Sequence, residues 1–206
     1  RSREPVEVSV LIRSADSSLW ANTRLGMEQA AGDLGAELRF LTPGADNDRE
    51  EQKELLRREV ERGTDALVLA PVDPADLGAE WETLTRGTPT VTLESELPEA
   101  VALITPDNEA LGWALARRAL EEYRGGTVLL LDCLPENTGV QARVEAAEAA
   151  LIRGGATVLR WSETGEEELI RLDEEGALAQ VVALEIGATE AAARAKERAG
   201  SSAALY

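Results

Sequence analysis

The chain has 206 residues, with 39 acidic against 21 basic side chains and a formal charge of −18. It contains one cysteine and no histidine. These facts exclude an intrachain disulfide, cysteine- or histidine-based metal clusters and any mechanism that needs a histidine base, and so acidic a surface repels phosphate backbones, so no nucleic-acid partner is expected.

The hydrophobic fraction is 44%, enough to build a real core. No apolar run approaches the ~20 residues needed to span a bilayer. Arg1-Ser2-Arg3-Glu4-Pro5 leads straight into an apolar stretch, as it would in a processed, mature chain.

Val6 to Ile12 is apolar enough for a buried parallel strand. A helix capped at Ser17-Ser18 is predicted to reach Leu34, with Trp20, Met27, Ala31 and Leu34 on its inner stripe. Glu37 to Leu41 reads as a strand and Arg49 to Arg62 as a charged helix with Leu55, Leu56 and Val60 inward. Ala66 to Ala70 is a strand that stops at Pro71-Val72-Asp73-Pro74, and a helical stretch and the strand Thr90 to Leu93 follow. Val101 to Ile104 is a short apolar run.

The second half repeats the order. A helix capped by Asp107 or Asn108 runs to about Tyr123, and Thr127 to Leu131 is a strand. Asn137 or Thr138 caps a helix to Arg153, with Val140, Val144, Ala147 and Leu151 inward. Then come strand Thr157 to Arg160, helix Glu166 to Glu175, strand Gln180 to Leu184, helix Thr189 to Ala199 and a last strand at Ser202 to Tyr206.

This alternation predicts an α/β fold with helices on both faces of parallel sheets. About nine strands suit two sheets better than one. The natural seam is Thr105-Pro106-Asp107-Asn108, dividing residues 1–105 from 106–206 by a short hinge. The last strand stops at Tyr206, which leaves the second domain without a closing element and reads as a truncated chain.

No phosphate loop and no dinucleotide-binding glycine pattern is present, so no nucleotide cofactor, and no cofactor of another kind, is expected. Cys133 follows a strongly apolar run and reads as a small core residue. What stands out is a series of polar and aromatic residues just after strand ends, where open parallel sheets bind ligands. They are Arg13, Asp16, Ser18 and Trp20; Asp73; Glu94, Ser95 and Glu96; Glu136, Asn137 and Gln141; Trp161 and Ser162; and Glu185. Each has a structural reading as well: Asp16, Asp73, Asn137 and Glu185 can cap helices, and Trp20 can be core. Their recurrence in both halves favours a site in a shared cleft.

The stretches VSVLIRSADSSLWANTRLGMEQAAGDLG, DALVLAPVDPADL, GTPTVTLESE, ITPDNEALGWALA, ENTGVQARVEAAEAAL and ALEIGATEAAARAKERAG resemble the type 1 periplasmic binding proteins, closest to sugar-binding lipoproteins of the ribose type. The resemblance implies two doubly wound parallel-sheet domains that close on a ligand, the second incomplete here because the chain stops before the family's return crossings. It implies ligand contacts from Asp16, Trp20, Glu94, Asn108, Gln141, Trp161 and Glu185, with Trp20 and Trp161 stacking on the ligand's apolar face. Arg143 matches a structural position. This chain departs from the family at Leu19-Trp20, where relatives carry an aromatic pair, at Glu94-Ser95, where they carry Asp-Arg, and at Glu185-Ile186, where they carry Asn-Asp.

Arg13 is the obvious cation near these carboxylates, so an Arg13–Glu94 ion pair is expected. A site so built suits a small sugar, a polyol or a cationic solute. The implied function is an extracytoplasmic solute-binding protein, periplasmic or lipid-anchored, that serves the membrane permease of an ABC importer. The alternatives are the ligand-sensing domain of a lactose-type repressor or of a membrane receptor. An α/β enzyme using a carboxylate pair such as Glu94 and Glu185 is the remote third.

Overall fold

The computed structural model describes residues 5–161 and 166–206. The amino-terminal Arg1 to Glu4 and the strand-end candidate Ser162 lie outside the described residues. The chain divides into two compact units, Arg1–Thr105 and Pro106–Tyr206.

The first unit is a parallel sheet of β1 (Val6–Leu11), β2 (Ala36–Leu41), β3 (Ala66–Leu69), β4 (Thr90–Leu93) and β5 (Ala102–Ile104). The strand order is β2-β1-β3-β4-β5, with every pair parallel. Helices α2 (Arg49–Arg62), α3 (Pro74–Ala79) and α4 (Trp81–Thr85) bury Leu55, Leu56, Leu77, Trp81 and Leu84 against Leu11, Leu67 and Leu69.

Gln52 on α2 is 1% exposed and spliced into the backbone beyond β3. Its amide nitrogen donates to the Ala70 carbonyl at 2.8 Å, and its oxygen accepts from the Val72 N–H at 2.9 Å. The turn after β3 thus keeps its backbone groups paired where no ladder partner remains. Asp73 then caps α3, accepting from the Asp76 N–H at 3.0 Å, and Pro74 fills the first helical position.

The predicted helix from Ser17 to Leu34 is two pieces: a 3-10 turn, Ser17–Trp20, and then α1 (Ala21–Leu34). Its expected inner stripe is not the buried one. Only Ala31 is buried on α1, Met27 is half-buried, and Leu34 is 83% exposed. The reason is placement: α1 packs mainly on the edge strand β2, so much of its surface faces away from the sheet. The helical stretch after Asp73 also breaks in two, at Glu80, whose ψ of 8° leaves the helical range. All three residues of the edge strand β5 are exposed.

The second unit is a parallel sheet in the order β7-β6-β8-β9. Its strands are β6 (Thr127–Leu131), β7 (Thr157–Trp161), β8 (Leu178–Ala183) and β9 (Ala204–Leu205). Helices α5 (Asn108–Glu122) and α6 (Thr138–Arg153) cover one face, and α7 (Glu166–Glu174) and α8 (Ile186–Ala199) the other. The apolar run of β6 follows from this. Val128 and Leu130 enter the α5–α6 core, while Leu129 and Leu131 enter the α7–α8 core. Helix α8 begins three residues earlier than the apolar spacing predicts, because Glu185 caps it through the Ala188 N–H at 3.0 Å.

Helices α5 and α6 pack tightly at Gly112, where a Cβ would stand 2.2 Å from the Arg143 carbonyl oxygen. Gly112→Ala is therefore expected to cost about 2 kcal/mol in urea unfolding. Gly26 on α1 has nothing within 4 Å of a built Cβ. Gly26→Ala should instead add roughly 0.5–1 kcal/mol by restoring helix propensity.

Candidate functional site

In the first unit, polar side chains gather beyond the carboxyl ends of β1 and β4. Arg13 is 6% exposed yet charged, which requires a close counter-charge. Glu94 supplies it at two points: Nε donates to Oε2 at 2.6 Å and the terminal NH2 to Oε1 at 3.1 Å. The third guanidinium nitrogen donates to the Asn47 side-chain oxygen at 3.0 Å, and the Asn47 N–H returns a bond to the Arg13 carbonyl at 2.8 Å.

Glu94 reaches this position at φ 63° and Asn47 at φ 56°. The left-handed region costs a glutamate on the order of 1 kcal/mol, so the surroundings must hold it there. The Glu94 N–H donates to the Ile104 carbonyl at 3.1 Å, and the Thr105 hydroxyl donates to the Glu94 carbonyl at 3.0 Å.

Asp16 and Trp20 lie on the 3-10 turn after β1. The Asp16 carboxylate caps that turn, accepting from the Ser18 N–H at 2.8 Å, and this backbone bond lowers its pKa. Trp20 is half-buried, and its indole N–H points to the Ser14 hydroxyl at 3.4 Å.

In the second unit, Gln141 belongs to a closed ring with Asp132 and Arg160. Its amide nitrogen donates to Asp132 Oδ1 at 2.5 Å and to the Leu134 carbonyl at 3.1 Å. Its oxygen accepts from Arg160 at 2.6 Å. Arg160 forks onto Asp132 Oδ2 at 3.0 and 2.8 Å and reaches Glu148 at 3.2 Å. Burial works against the Arg160 charge, and its bonds to Asp132 and Glu148 outweigh that cost.

Arg160 and Trp161 are consecutive on β7, so they face opposite ways. Arg160 bonds to α6, whereas Trp161 packs with Leu129 and Leu131 on the α7–α8 side. Gln141 and Trp161 are therefore not on one face of the second sheet. Asn108 is buried on the first turn of α5, which Asp107 caps through the Ala110 N–H at 2.9 Å. Glu185 is half-buried at the start of α8. Arg143 donates to the Leu184 carbonyl at 3.0 Å and so ties α6 to the end of β8 beside Glu185.

Asp132 and Arg160 are absent from the set read from sequence. Asp132 had a usable signal, since it is the first polar residue after the apolar run of β6. Arg160 had none: within a strand pattern it reads as an ordinary polar position. Among the described residues no group of three or more metal-ligating side chains comes together, and no helix is long and apolar enough to cross a membrane.

Residues 8–202 match the model of the periplasmic binding protein domain. No curated protein matches the chain. Among solved structures, an ABC transporter solute-binding protein from Burkholderia multivorans aligns at TM-score 0.82 and 19% identity, over 97% of this chain and 77% of that one. An ABC transporter solute-binding protein from Agrobacterium vitis, bound with α-D-tagatopyranose, aligns at TM-score 0.82 and 18% identity, over 94% of this chain and 72% of that one. A Caulobacter myo-inositol binding protein bound to myo-inositol aligns at TM-score 0.77 and 20% identity, over 97% and 72%. At these identities the likeness is one of fold.

Cys133 reports the field at the second unit's strand ends. Burial, then Glu185, then Asp132, push its thiol up to about 11. Against an unfolded value of about 8.5, the folded chain holds this proton more tightly. The contribution is therefore fully present below about pH 8.5 and is lost as pH rises toward 11. Urea unfolding from pH 7.5 to 10 should show a steeper alkaline loss for the parent chain than for Cys133→Ala. Equal slopes would contradict the raised thiol. At pH 8, iodoacetamide should alkylate Cys133 about tenfold more slowly than a free thiol, and faster in Glu185→Gln.

Proposed function

The chain belongs to the periplasmic binding protein domain family, with the parallel α/β architecture of its type 1 members, and we propose that it is an extracytoplasmic solute-binding protein for a small, polar, sugar-like ligand. Its partner in this reading is the membrane permease of an ABC-type importer. It works as a binder rather than a catalyst.

The observation that carries this reading is the supply of hydrogen-bonding side chains beyond strand carboxyl ends, held in place by arginine–carboxylate pairing in each unit. Sugar recognition needs fixed donors and acceptors beside an aromatic face, because a hydroxyl left unmatched on desolvation costs affinity. We assign Trp20 in the first unit and Trp161 in the second as candidate aromatic faces, and Asp16 and Glu94 in the first unit and Asn108, Gln141 and Glu185 in the second as candidate polar contacts. The solved neighbours lend support, since those from Agrobacterium vitis and Caulobacter carry a ketose and a cyclitol.

A thermal-shift screen against neutral pentoses, hexoses and polyols, with polyamines alongside, tests the reading. A true ligand at 100 times its dissociation constant adds about 2.7 kcal/mol of stability. At least one neutral sugar or polyol should raise the melting temperature, and a flat response across the panel would overturn the proposal. Replacing Glu94 and Glu185 together by glutamine should abolish the response, whereas unchanged affinity in calorimetry would remove both carboxylates from the site.

A further inference from the structure

We propose that Asp132 is a specificity-determining residue: by occupying Arg160 it keeps carboxylated and phosphorylated ligands off the Gln141 surface of the second unit. This rests on the solute-binding reading above and names which ligands the site refuses.

An arginine at a strand end beside a polar helix start would by itself recruit anions, because its planar fork matches carboxylate and phosphate. Here the fork is already taken. Two of its nitrogens lie on Asp132 Oδ2, at 3.0 and 2.8 Å, and the third lies 3.2 Å from Glu148. One guanidinium thus faces two carboxylates, and the cluster carries a net negative charge. The carboxylate that occupies it is rigidly held. The Asp132 side chain is only 6% exposed, and its other oxygen accepts from Gln141 at 2.5 Å. An incoming anion would have to displace a buried, two-point partner while facing the charge of Glu148. A neutral hydroxyl needs no such displacement, since an exchangeable N–H or a carboxylate lone pair suffices for it.

Gln141 is set by the same ring. With its nitrogen committed to Asp132 and its oxygen to Arg160, the amide is held in one orientation. Asp132 thereby acts as a positioning residue for Gln141 as well as a screen for Arg160. The thiol of Cys133, raised by burial and by Glu185 and Asp132, registers the same negative field.

The test uses D-galacturonate and inorganic phosphate as anionic probes and D-galactose as the neutral control, at fixed low ionic strength. By calorimetry the parent chain should bind neither anion measurably. Asp132→Asn should bind galacturonate at least about tenfold more tightly than the detection limit that bounds the parent chain, and adding Arg160→Gln should erase that binding. Circular dichroism checks each fold. If Asp132→Asn does not fold, Glu148→Gln carries the same test through the second carboxylate, with a smaller gain expected. Anion binding by the parent chain equal to that of the variant, or no gain in a folded variant, would overturn the proposal. The anionic arm is read separately from the neutral-sugar screen. A chain that binds no neutral solute yet gains galacturonate binding in Asp132→Asn would count against the solute-binding reading and leave the screening of Arg160 standing.

Discussion

Two arginines stand at the carboxyl ends of parallel strands, Arg13 with a side chain 7% exposed and Arg160 with one 29% exposed. A guanidinium drawn out of water is stabilised by a fixed carboxylate within hydrogen-bond reach, the more so the deeper it lies. Arg13 finds Glu94, and Arg160 finds Asp132. Much of the local architecture follows from meeting that need. Glu94 takes a left-handed backbone conformation, the Ile104 and Thr105 backbone and hydroxyl groups hold it there, and Asn47 closes the far side of Arg13. In the second unit the need draws the first turn of α6 inward through Gln141 and orders the segment from Asp132 to Leu134.

In the proposed solute-binding reading, the same pairing shapes what these strand ends offer a ligand. A guanidinium whose strongest contacts are internal gives up most of its pull on anions while fixing the polar groups around it. Fixed donors and acceptors suit a ligand whose hydroxyls must each find a partner, and preorganisation lowers the entropy lost on binding. The aromatic residues add area without demanding charge. Helix caps complete the set, because Asp16 and Glu185 spend one oxygen each on a backbone N–H and are oriented by it.

The fold was legible because its signals are local and repeated. Apolar runs such as Ala66 to Leu69 and Thr127 to Leu131, stopped by Pro71 or followed by a capped helix, announce parallel strands by length and composition alone. Burial on α1 was not legible. Spacing gave Leu34 to the core, but α1 lies over the edge strand β2, and which strand becomes the edge is a long-range outcome that no helix-length window contains. The candidate residues divide in the same way. Arg13, Asp16 and Glu94 could be named because each lies in the short segment just past a strand end. Arg160 could not, because its partner Asp132 is 28 residues away and joined to it only by the β6–β7 pairing.

The central claim is that these arginine–carboxylate pairs are strongly coupled, partly desolvated units. A double-mutant cycle on Arg13→Gln and Glu94→Gln in urea unfolding measures that coupling directly. The account predicts an interaction energy of about 2 kcal/mol or more, beyond the range of exposed surface pairs. A coupling below about 0.5 kcal/mol, the value of an ordinary solvated pair, would contradict it.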